Sequence, residues 1–294
     1  MKKVLIIGAS GFIGHNLKDF LEKFPDEYEL SCPSSKELNM LDLENVNSYF
    51  ENNTFDIVVC AAIFIPKNYE SQKDILDHDM RIFYYLQRHA DEFEKIIYFG
   101  SGAEYVKEYP IVNVREEDFG RVPFSAYGFA KYIINKEIRN SSNIYNMRVF
   151  GLFGPYENWK TTFISGACCK AVKGVPITIR QNVFFEYVWI EDFVQIVKWF
   201  LDHTPKYHDY NITAGNKVDL MSLAEDVRKV SGKDIPIYVC KEGLANEYTG
   251  SNERLMKEIP EFKFTAKREA IQKLYKWYEQ REETIDLMSL LYFE

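Results

Sequence analysis

The sequence lacks the features that would place it in a membrane, on a nucleic acid or in a secreted compartment. No stretch approaches the roughly 20 apolar residues of a membrane-spanning helix. The formal net charge of −8 disfavours binding to nucleic acid or to an anionic membrane surface. The N-terminal apolar run breaks at Gly8 and has no small-residue cleavage site, so we expect no signal peptide. These absences predict a cytoplasmic protein.

The cysteine pattern gives no sign of a disulfide framework or a metal site. The five cysteines contain no C-x-x-C pair and have no histidine ligands nearby in the sequence. Reduced thiols of this kind are typical of cytosolic proteins. His78 and His89 do not match a metal-ligand spacing, so we predict no bound metal ion.

What is present is the composition and periodicity of an α/β protein. Of the 294 residues, 46% are hydrophobic and 27% are charged, which is ordinary for a globular chain. Short β-type runs alternate with helical segments up to about residue 150. This rhythm predicts a parallel sheet with helices on both faces. The predicted strands are 4–7, 28–31, 57–60, 96–99 and 145–149, and the clearest helices are 75–93 and 126–139.

The second half of the chain is less regular but is not separated from the first by a linker. No stretch is rich in proline, glycine or serine, and there is no internal repeat. We therefore predict a dinucleotide-binding domain at 1–152 and a smaller α/β substrate-binding portion at 153–294, with the chain crossing back between them. The crevice between the two is the expected substrate site.

Three glycines lie between the first strand and the first helix with the spacing G-x-x-G-x-x-G. Gly8 allows a tight turn, Gly11 lets the backbone approach a pyrophosphate, and Gly14 lets helix and strand pack closely. The free N–H groups at the start of the helix favour phosphate. The motif predicts a Rossmann-type doubly wound sheet that binds a dinucleotide, with further contacts from Ser10, Phe12 and Ile13.

The end of the second strand indicates which dinucleotide is bound. NAD sites usually have an acidic residue there for the ribose hydroxyls. The segment 30–36 has none, and Ser34, Ser35 and Lys36 can receive a 2′-phosphate, so we favour NADP(H) over NAD(H). We also expect four residues beside the cofactor, which are Asp42, Leu43, Ala61 and Ala62.

Tyr127 and Lys131 form a Y-x-x-x-K pair on a predicted helix, where positions four apart share one face. A neighbouring ammonium stabilises a phenolate, so the tyrosine can donate a proton to a carbonyl or accept one from an alcohol. Lys131 can also hold the cofactor ribose. Ser101 lies just past the fourth strand, where its hydroxyl can bond to the reacting oxygen. We predict that Ser101, Tyr127 and Lys131 are catalytic.

Together these residues resemble the extended short-chain dehydrogenase/reductases that act on nucleotide sugars, the NAD-dependent epimerase/dehydratase family. Within that family, residues 36–42 are most similar to GDP-L-fucose synthase-like reductases, which use NADPH. The resemblance implies an oxidoreductase with a nucleotide-sugar substrate, commonly a homodimer. It covers nearly the whole chain, and beyond the glycine turn and the Tyr–Lys pair it is carried by 98–105, 148–155, 187–193, 210–215 and 274–278.

Departures from the family pattern narrow the expected chemistry. Dehydratases of the family have an Asp–Glu pair after the catalytic hydroxyl, whereas this chain has Gly102 and Ala103, so we expect no water elimination. Fucose synthases have a cysteine at the Ala103 position for epimerisation. The family asparagine is replaced by Gly151, and the arginine that grips the diphosphate is replaced by Phe185. We therefore take Gly102, Ala103 and Arg180 as candidate substrate contacts, with Lys160 as a further cation.

Three functional hypotheses follow. The first is an NADP(H)-dependent 4-ketoreductase of a nucleotide-linked deoxysugar. The second is an NAD-dependent nucleotide-sugar 4-epimerase, and the third is a sensor or scaffold that binds the dinucleotide without turnover.

The resemblance also implies that the Tyr127 helix and the preceding long helix pair in a four-helix bundle, which would give a homodimer. The apolar residues that permit this are Ile82, Tyr85, Leu86, Ile133 and Ile134. On that long helix, Asp79 and Met80 replace the family Asn–Val pair.

Overall fold

Strands and helices alternate through the first half of the computed structural model, which describes residues 1–63 and 72–292. The strands are β1 (Lys2–Ile7), β2 (Tyr28–Ser31), β3 (Ile57–Cys60), β4 (Lys95–Ser101), β5 (Ile111–Val114), β6 (Ile144–Val149), β7 (Leu152–Phe153), β8 (Ile177–Asn182), β9 (Phe184–Phe185), β10 (Val188–Trp189), β11 (Asp209–Ile212), β12 (Val218–Asp219), β13 (Ile237–Leu244) and β14 (Tyr248–Gly250). The helices are α1 (Phe12–Leu21), α2 (Leu43–Asn52), α3 (Gln72–Gln87), α4 (Ala126–Arg139), α5 (Phe163–Lys173), α6 (Ile190–Asp202), α7 (Leu220–Ser231), α8 (Glu253–Glu258), α9 (Lys267–Glu279) and α10 (Leu287–Tyr292).

The central sheet has six parallel strands in the order β11-β6-β4-β3-β1-β2. Its middle strands are rich in branched apolar residues and are buried on both faces, as expected for a parallel sheet between helical layers. The edge strand β11 comes from the second half of the chain, which therefore contributes to the same sheet. The predicted Rossmann-type α/β architecture is confirmed.

Helices cover both faces of this sheet because successive strand residues point to opposite sides. On one face, Val4 and Ile6 pack with Leu17 of α1 and Phe193 of α6. On the other face, Leu5 and Ile7 belong to a second apolar cluster. Residues from α2, α3 and α4 complete that cluster, among them Val46, Phe83 and Ile134. The two layers make the sheet doubly wound.

The second half of the chain adds smaller sheets beside the carboxyl ends of the central strands. One has the order β12-β9-β14-β5, and two pairs are formed by β13 with β8 and by β10 with β7. Strand β14 is parallel to β5, which follows β4 closely in the chain. This pairing brings residues near 248 next to the segment that follows Ser101.

Three of the seven predicted elements have the expected bounds, strands β1, β4 and β6 extend one or two residues further, and the long helix ends early. Helix α4 and strands β2 and β3 have the predicted limits. The long helix α3 ends at Gln87 and not near residue 93, because the chain turns through the 3-10 helix Ala90–Glu92 to enter β4. The Asn143 amide holds this turn by donating to the carbonyls of Ala90 and Phe93, at 2.8 Å each. Helix α1 ends at Leu21, before Pro25.

The face proposed for dimerisation is only partly available to a partner. Ile82, Leu86 and Ile134 are buried in the core of the chain itself, so they cannot line a helix–helix interface as expected. Tyr85 and Ile133 are half-buried and remain accessible.

No helix in the described ranges is long and apolar enough to cross a membrane.

Candidate active site

The glycine turn joins β1 to α1 and leaves no room for side chains at two of its three glycines. Gly8 has φ +88°, and a Cβ there would lie 2.7 Å from the Ala62 nitrogen. A Cβ at Gly14 would lie 2.2 Å from the Gly8 carbonyl oxygen. At Gly11 the nearest atom would be that same oxygen, at 3.4 Å, so a side chain there would meet only an ordinary van der Waals contact. The turn is thus closely packed at Gly8 and Gly14 and less crowded at Gly11.

The start of α1 is suited to a phosphate group. Gly11 caps the helix without a side-chain hydrogen bond, and the first turn contains no acidic residue. The helix dipole and the N–H groups at this end therefore face no competing carboxylate from the first turn. The structure brings together here eight of the residues predicted to lie against the dinucleotide, which are Gly8, Ser10, Gly11, Phe12, Ile13, Gly14, Ala61 and Ala62.

The loop after β2 contains an acid that the sequence interpretation did not assign to the cofactor. Ser34, Ser35 and Lys36 are exposed, as a 2′-phosphate site requires. The Ser34 backbone N–H and its hydroxyl both donate to Glu37 Oε2, at 2.8 Å each, and these bonds lower the pKa of Glu37. An ionised carboxylate therefore lies among the three predicted residues. The spacing S-x-x-E, a helix-capping pattern, was the signal for this contact.

Asp42 and Leu43 lie at the start of α2. The Asp42 carboxylate is the N-cap of that helix and accepts from the backbone N–H groups of Glu44 and Asn45, at 3.1 and 3.2 Å. This is the ordinary capping role of aspartate. It accounts for Asp42 without a ligand, and a contact of Asp42 with the cofactor stays a prediction.

The Tyr–Lys pair lies on the first turns of α4, close to Ser101. The Lys131 ammonium is 5.6 Å from the centroid of the half-buried Tyr127 ring. A Cβ at Gly128 would lie 2.6 Å from the Ala103 carbonyl oxygen, so the start of α4 packs directly on the segment after Ser101. Ser101 is the last residue of β4. The three predicted catalytic residues are therefore brought to the same end of the sheet.

Lys131 is held as a buried cation. Its side chain is 2% exposed; it donates to the Tyr98 hydroxyl at 2.5 Å and lies 3.7 Å from the Asp79 carboxylate. Burial alone lowers the pKa of Lys131, but the negative charges that Tyr98, Asp79 and Tyr127 can carry outweigh it and raise that pKa above its ordinary value. The ammonium beside Tyr127 is thus permanent at neutral pH.

Ser101 is positioned by Glu104. The Ser101 backbone N–H donates to Glu104 Oε1 at 3.2 Å, and the Ser101 hydroxyl accepts from the Ala103 N–H at 3.1 Å. Glu104 is fully buried and is paired with the equally buried Arg148, whose Nε donates to Oε2 at 2.7 Å. This capping arrangement sets the direction in which β4 ends. The ion pair with Arg148 also engages the Glu104 carboxylate, which is the one nearest to Ser101 in the sequence.

The candidate substrate residues do not lie together. Gly102 and Ala103 are buried beside Ser101. Arg180 is exposed on β8, outside the central sheet, and within the described ranges no hydrogen bond or ion pair joins it to Ser101, Tyr127 or Lys131. Lys160 is likewise exposed, in the segment before α5.

Aromatic side chains occupy the position where the family pattern has an arginine. Phe185 packs on Tyr248 with ring centroids 4.8 Å apart and on Tyr187 at 5.4 Å. Tyr248 reaches the site from β14, and no spacing or motif in the sequence indicates this. Tyr98, the partner of Lys131, was visible only as part of an apolar strand.

The described residues contain no group of three or more histidine, cysteine or acidic side chains that could hold a metal ion.

Comparisons with known proteins agree with the resemblance seen in the motifs. The model of the NAD dependent epimerase/dehydratase family matches residues 4–213. The ADP-L-glycero-D-manno-heptose-6-epimerase of Brachyspira hyodysenteriae is 22% identical over 272 aligned positions, which cover 77% of this chain and 80% of that protein.

Solved structures share the fold at low sequence identity. The GDP-L-fucose synthetase of Naegleria fowleri bound to NADP has a TM-score of 0.83 and 16% identity, covering 96% of this chain and 94% of that one. The GDP-mannoheptose C4 reductase of Campylobacter jejuni with NADP bound has a TM-score of 0.76 and 17% identity, covering 95% and 98%. At such identities the likeness shows the fold.

Proposed function

We propose that this chain, which belongs to the NAD dependent epimerase/dehydratase family, is an NADP(H)-dependent 4-ketoreductase of a nucleotide-linked deoxysugar. The observation that carries the proposal is the grouping of Ser101, Tyr127 and Lys131 at the end of the sheet that also carries the glycine turn. A proton donor therefore lies on the same side of the fold as the predicted dinucleotide. Relatives named as an NADP-bound synthetase and an NADP-bound C4 reductase support this choice.

The residues present fit a nicotinamide dinucleotide. Gly11 and the uncapped start of α1 can hold the pyrophosphate, and Lys131 is the residue expected to hold the cofactor ribose. A bound nicotinamide supplies the hydride for reduction of the keto carbon. Tyr127 donates its proton to the carbonyl oxygen, and Lys131 stabilises the phenolate that remains. Ser101 orients the same oxygen through its hydroxyl.

The residues around Ser101 favour simple reduction over elimination or C3/C5 epimerisation. Gly102 and Ala103 provide neither an acid nor a thiol. Glu104 is the nearest carboxylate in sequence, but Arg148 and the Asn146 amide bind both of its oxygens. It is therefore poorly placed to remove a proton from a sugar carbon.

A second candidate, an NAD-dependent nucleotide-sugar 4-epimerase, is favoured by Glu37. Its carboxylate on Ser34 would repel a 2′-phosphate and could accept a hydroxyl of an unphosphorylated ribose. The catalytic residues would be the same, with Tyr127 first accepting a proton and later returning it.

Cofactor consumption separates these functions. The purified chain is mixed with NADPH or NADH and a panel of GDP-, ADP- and dTDP-linked 4-keto sugars, and separately, without added cofactor, with the corresponding 4-hydroxy sugars. A reductase oxidises the cofactor stoichiometrically. An epimerase retains bound NAD and converts nucleotide sugars with no net change in absorbance. A protein that binds cofactor and converts none of these sugars contradicts the proposal and favours a sensor.

Replacement of Tyr127 tests the proposed proton donor. For Tyr127→Phe we expect kcat to fall by at least about 10²-fold, the lower range for loss of a general acid. The matched control is Tyr132→Phe on the same helix, whose hydroxyl donates only to the Gly120 carbonyl. A loss smaller than tenfold for Tyr127→Phe would rule out the assigned role.

We also propose the wider setting of this activity. Residues 1–152 bind the dinucleotide and 153–294 build most of the substrate side. The enzyme acts as a cytoplasmic homodimer in polysaccharide biosynthesis, with Tyr85 and Ile133 at the dimer interface. The expected molecular mass of the protein in solution is twice that of one chain. The Ile133→Glu substitution should reduce it to the mass of a single chain.

A further inference from the structure

The Tyr248 hydroxyl is buried in the candidate site without a well-formed hydrogen bond. Tyr248 is 5% exposed, and its oxygen has no partner of full hydrogen-bond geometry among the described residues. Buried hydroxyl groups in folded proteins nearly always have a partner. This exception lies next to the predicted catalytic residues, where a functional reason is expected.

Gly102 is what allows Tyr248 to occupy this place. A Cβ at Gly102 would lie 2.3 Å from the Tyr248 oxygen and 2.8 Å from its Cζ atom. Any other residue at 102 would therefore displace the phenol. Because Gly102 directly follows Ser101, the tyrosine fills the space beside the candidate catalytic hydroxyl that a side chain at 102 would otherwise take.

The ring of Tyr248 is fixed from several sides. Its centroid lies 5.1 Å from that of Phe150 and 4.8 Å from that of Phe185. The Lys107 ammonium lies 4.3 Å from the same centroid. Strand β14 carries the residue and is paired with both β5 and β9. The hydroxyl is thus presented by a rigid element.

The polar groups around this hydroxyl suggest what it does. The Tyr248 hydroxyl interacts with the Ser101 side chain although no hydrogen bond of full geometry joins them, and Tyr127 is close enough to interact electrostatically. Burial raises the pKa of Tyr248 well above its ordinary value, so at neutral pH the phenol is a donor. A serine oxygen can accept two hydrogen bonds, and the Ala103 N–H supplies one of them to Ser101.

From these contacts we propose that Tyr248 is a positioning residue that donates the second hydrogen bond to Ser101. With both lone pairs of its oxygen occupied, Ser101 can only donate its own hydrogen, which then points to the substrate oxygen. Tyr248 thereby makes Ser101 a second donor beside Tyr127, an arrangement that stabilises the negative charge developing on a carbonyl oxygen during reduction. The inference rests on the proposed function.

A double-mutant cycle in kcat tests this role. The probe is NADPH oxidation with GDP-4-keto-6-deoxymannose by the wild-type chain and by the Tyr248→Phe, Ser101→Ala and doubly substituted variants. We expect Tyr248→Phe to lower kcat roughly tenfold, as for loss of one hydrogen bond, with KM changed less than about twofold. In the Ser101→Ala background the same substitution should have no further effect, because its target is gone.

The control is Tyr278→Phe, which removes another buried hydroxyl without full hydrogen-bond geometry, on α9 and outside the candidate site. It should leave kcat at the wild-type value. Wild-type kcat in Tyr248→Phe, or equal losses from that substitution with and without Ser101, would overturn the inference.

A second readout does not depend on turnover. If no keto sugar is reduced, the proposed function fails, and the midpoints of thermal unfolding of the same four proteins still decide the inference. A Tyr248–Ser101 hydrogen bond predicts that the double variant loses about 2–4 °C less than the sum of the two single losses. Additive losses contradict it.

Discussion

At the scale of single residues, the charge of Lys131 is set by the side chains buried with it. The Asp79 carboxylate at 3.7 Å is an ionic partner from α3, at a position where the resemblance implies an asparagine. Tyr98 adds a hydrogen bond from β4. Because all three side chains are buried, solvent screens this group weakly. The ammonium beside Tyr127 is therefore a fixed feature of the site.

We expect the Glu37 carboxylate to influence which dinucleotide the loop after β2 prefers. Replacing it by glutamine keeps a polar group near Ser34 but removes the negative charge from the predicted 2′-phosphate site. We expect the ratio of kcat/KM for NADPH to that for NADH to rise about three- to tenfold at low ionic strength, with less effect in salt. Steady-state kinetics with both cofactors measures it.

The control for this substitution is Glu44→Gln, which removes an exposed acid from the first turn of α2. It should leave the cofactor ratio within twofold. An unchanged ratio in Glu37→Gln would mean that this carboxylate does not face the cofactor.

At the scale of elements, a buried acid links the turn after β7 to α5. The Ser165 hydroxyl of α5 donates to Glu157, which is 9% exposed. Burial raises the pKa of Glu157 to about 8, and the hydrogen bond from Ser165 offsets only part of that rise. Glu157 is therefore mostly protonated in the folded protein at pH 7 and ionised once the chain unfolds.

This difference predicts how stability changes with pH. Because the pKa is higher in the folded state, the contribution of Glu157 is complete below its unfolded value of about 4.5. It is lost as pH rises to about 8. In Glu157→Gln this loss disappears, so the fall in Tm between about pH 5 and pH 8.5 should be smaller than in wild type by about 5 °C.

Thermal unfolding across this pH range measures the effect, with Glu225→Gln as the control. Glu225 pairs with Arg228 at the surface of α7, so its removal should leave the slope of Tm against pH unchanged. An equal slope in Glu157→Gln and wild type would contradict the assignment.

At the scale of the whole molecule, a buried ionic network joins the two halves of the chain. Asp209 on β11 accepts from Arg148 on β6 at 2.8 Å, from Arg139 on α4 at 2.7 Å and from Arg254 on α8 at 2.8 Å. Arg148 also holds Glu104 under the Ser101 segment. The network therefore couples the packing of the second half to the geometry of the candidate site.

Removing the Asp209 carboxylate, which the three arginines share, should lower the stability of the folded protein. For Asp209→Ala we expect a loss of roughly 3–5 kcal/mol in the free energy of unfolding, because Arg148 is left buried with an incomplete set of partners. Urea unfolding followed by fluorescence measures it. The control Glu191→Gln breaks an exposed pair with Lys273 and should cost at most about 1 kcal/mol. Similar losses in both variants would show that the network adds no stability.

Much of the fold and the core of the candidate site were predictable from sequence because their signals are local. A short apolar run identifies β3, and helical periodicity identifies α4. Spacing alone identifies Gly8, Gly11 and Gly14. Backbone geometry fixes the relation of Tyr127 to Lys131, since residues four apart on a helix share a face. The exact end of α3 depends on a turn outside the helix, and it was predicted less well.

The sequence by itself determined a parallel α/β fold, a glycine turn and a Tyr–Lys pair, because each rests on contacts between residues close in the chain. Only the tertiary structure decided that Asp79 lies beside Lys131, that Asp209 binds three arginines and that Tyr248 stands over Gly102. Those contacts join residues far apart in sequence, and periodicity and spacing carry no information about which distant side chains the packing of the sheets brings together.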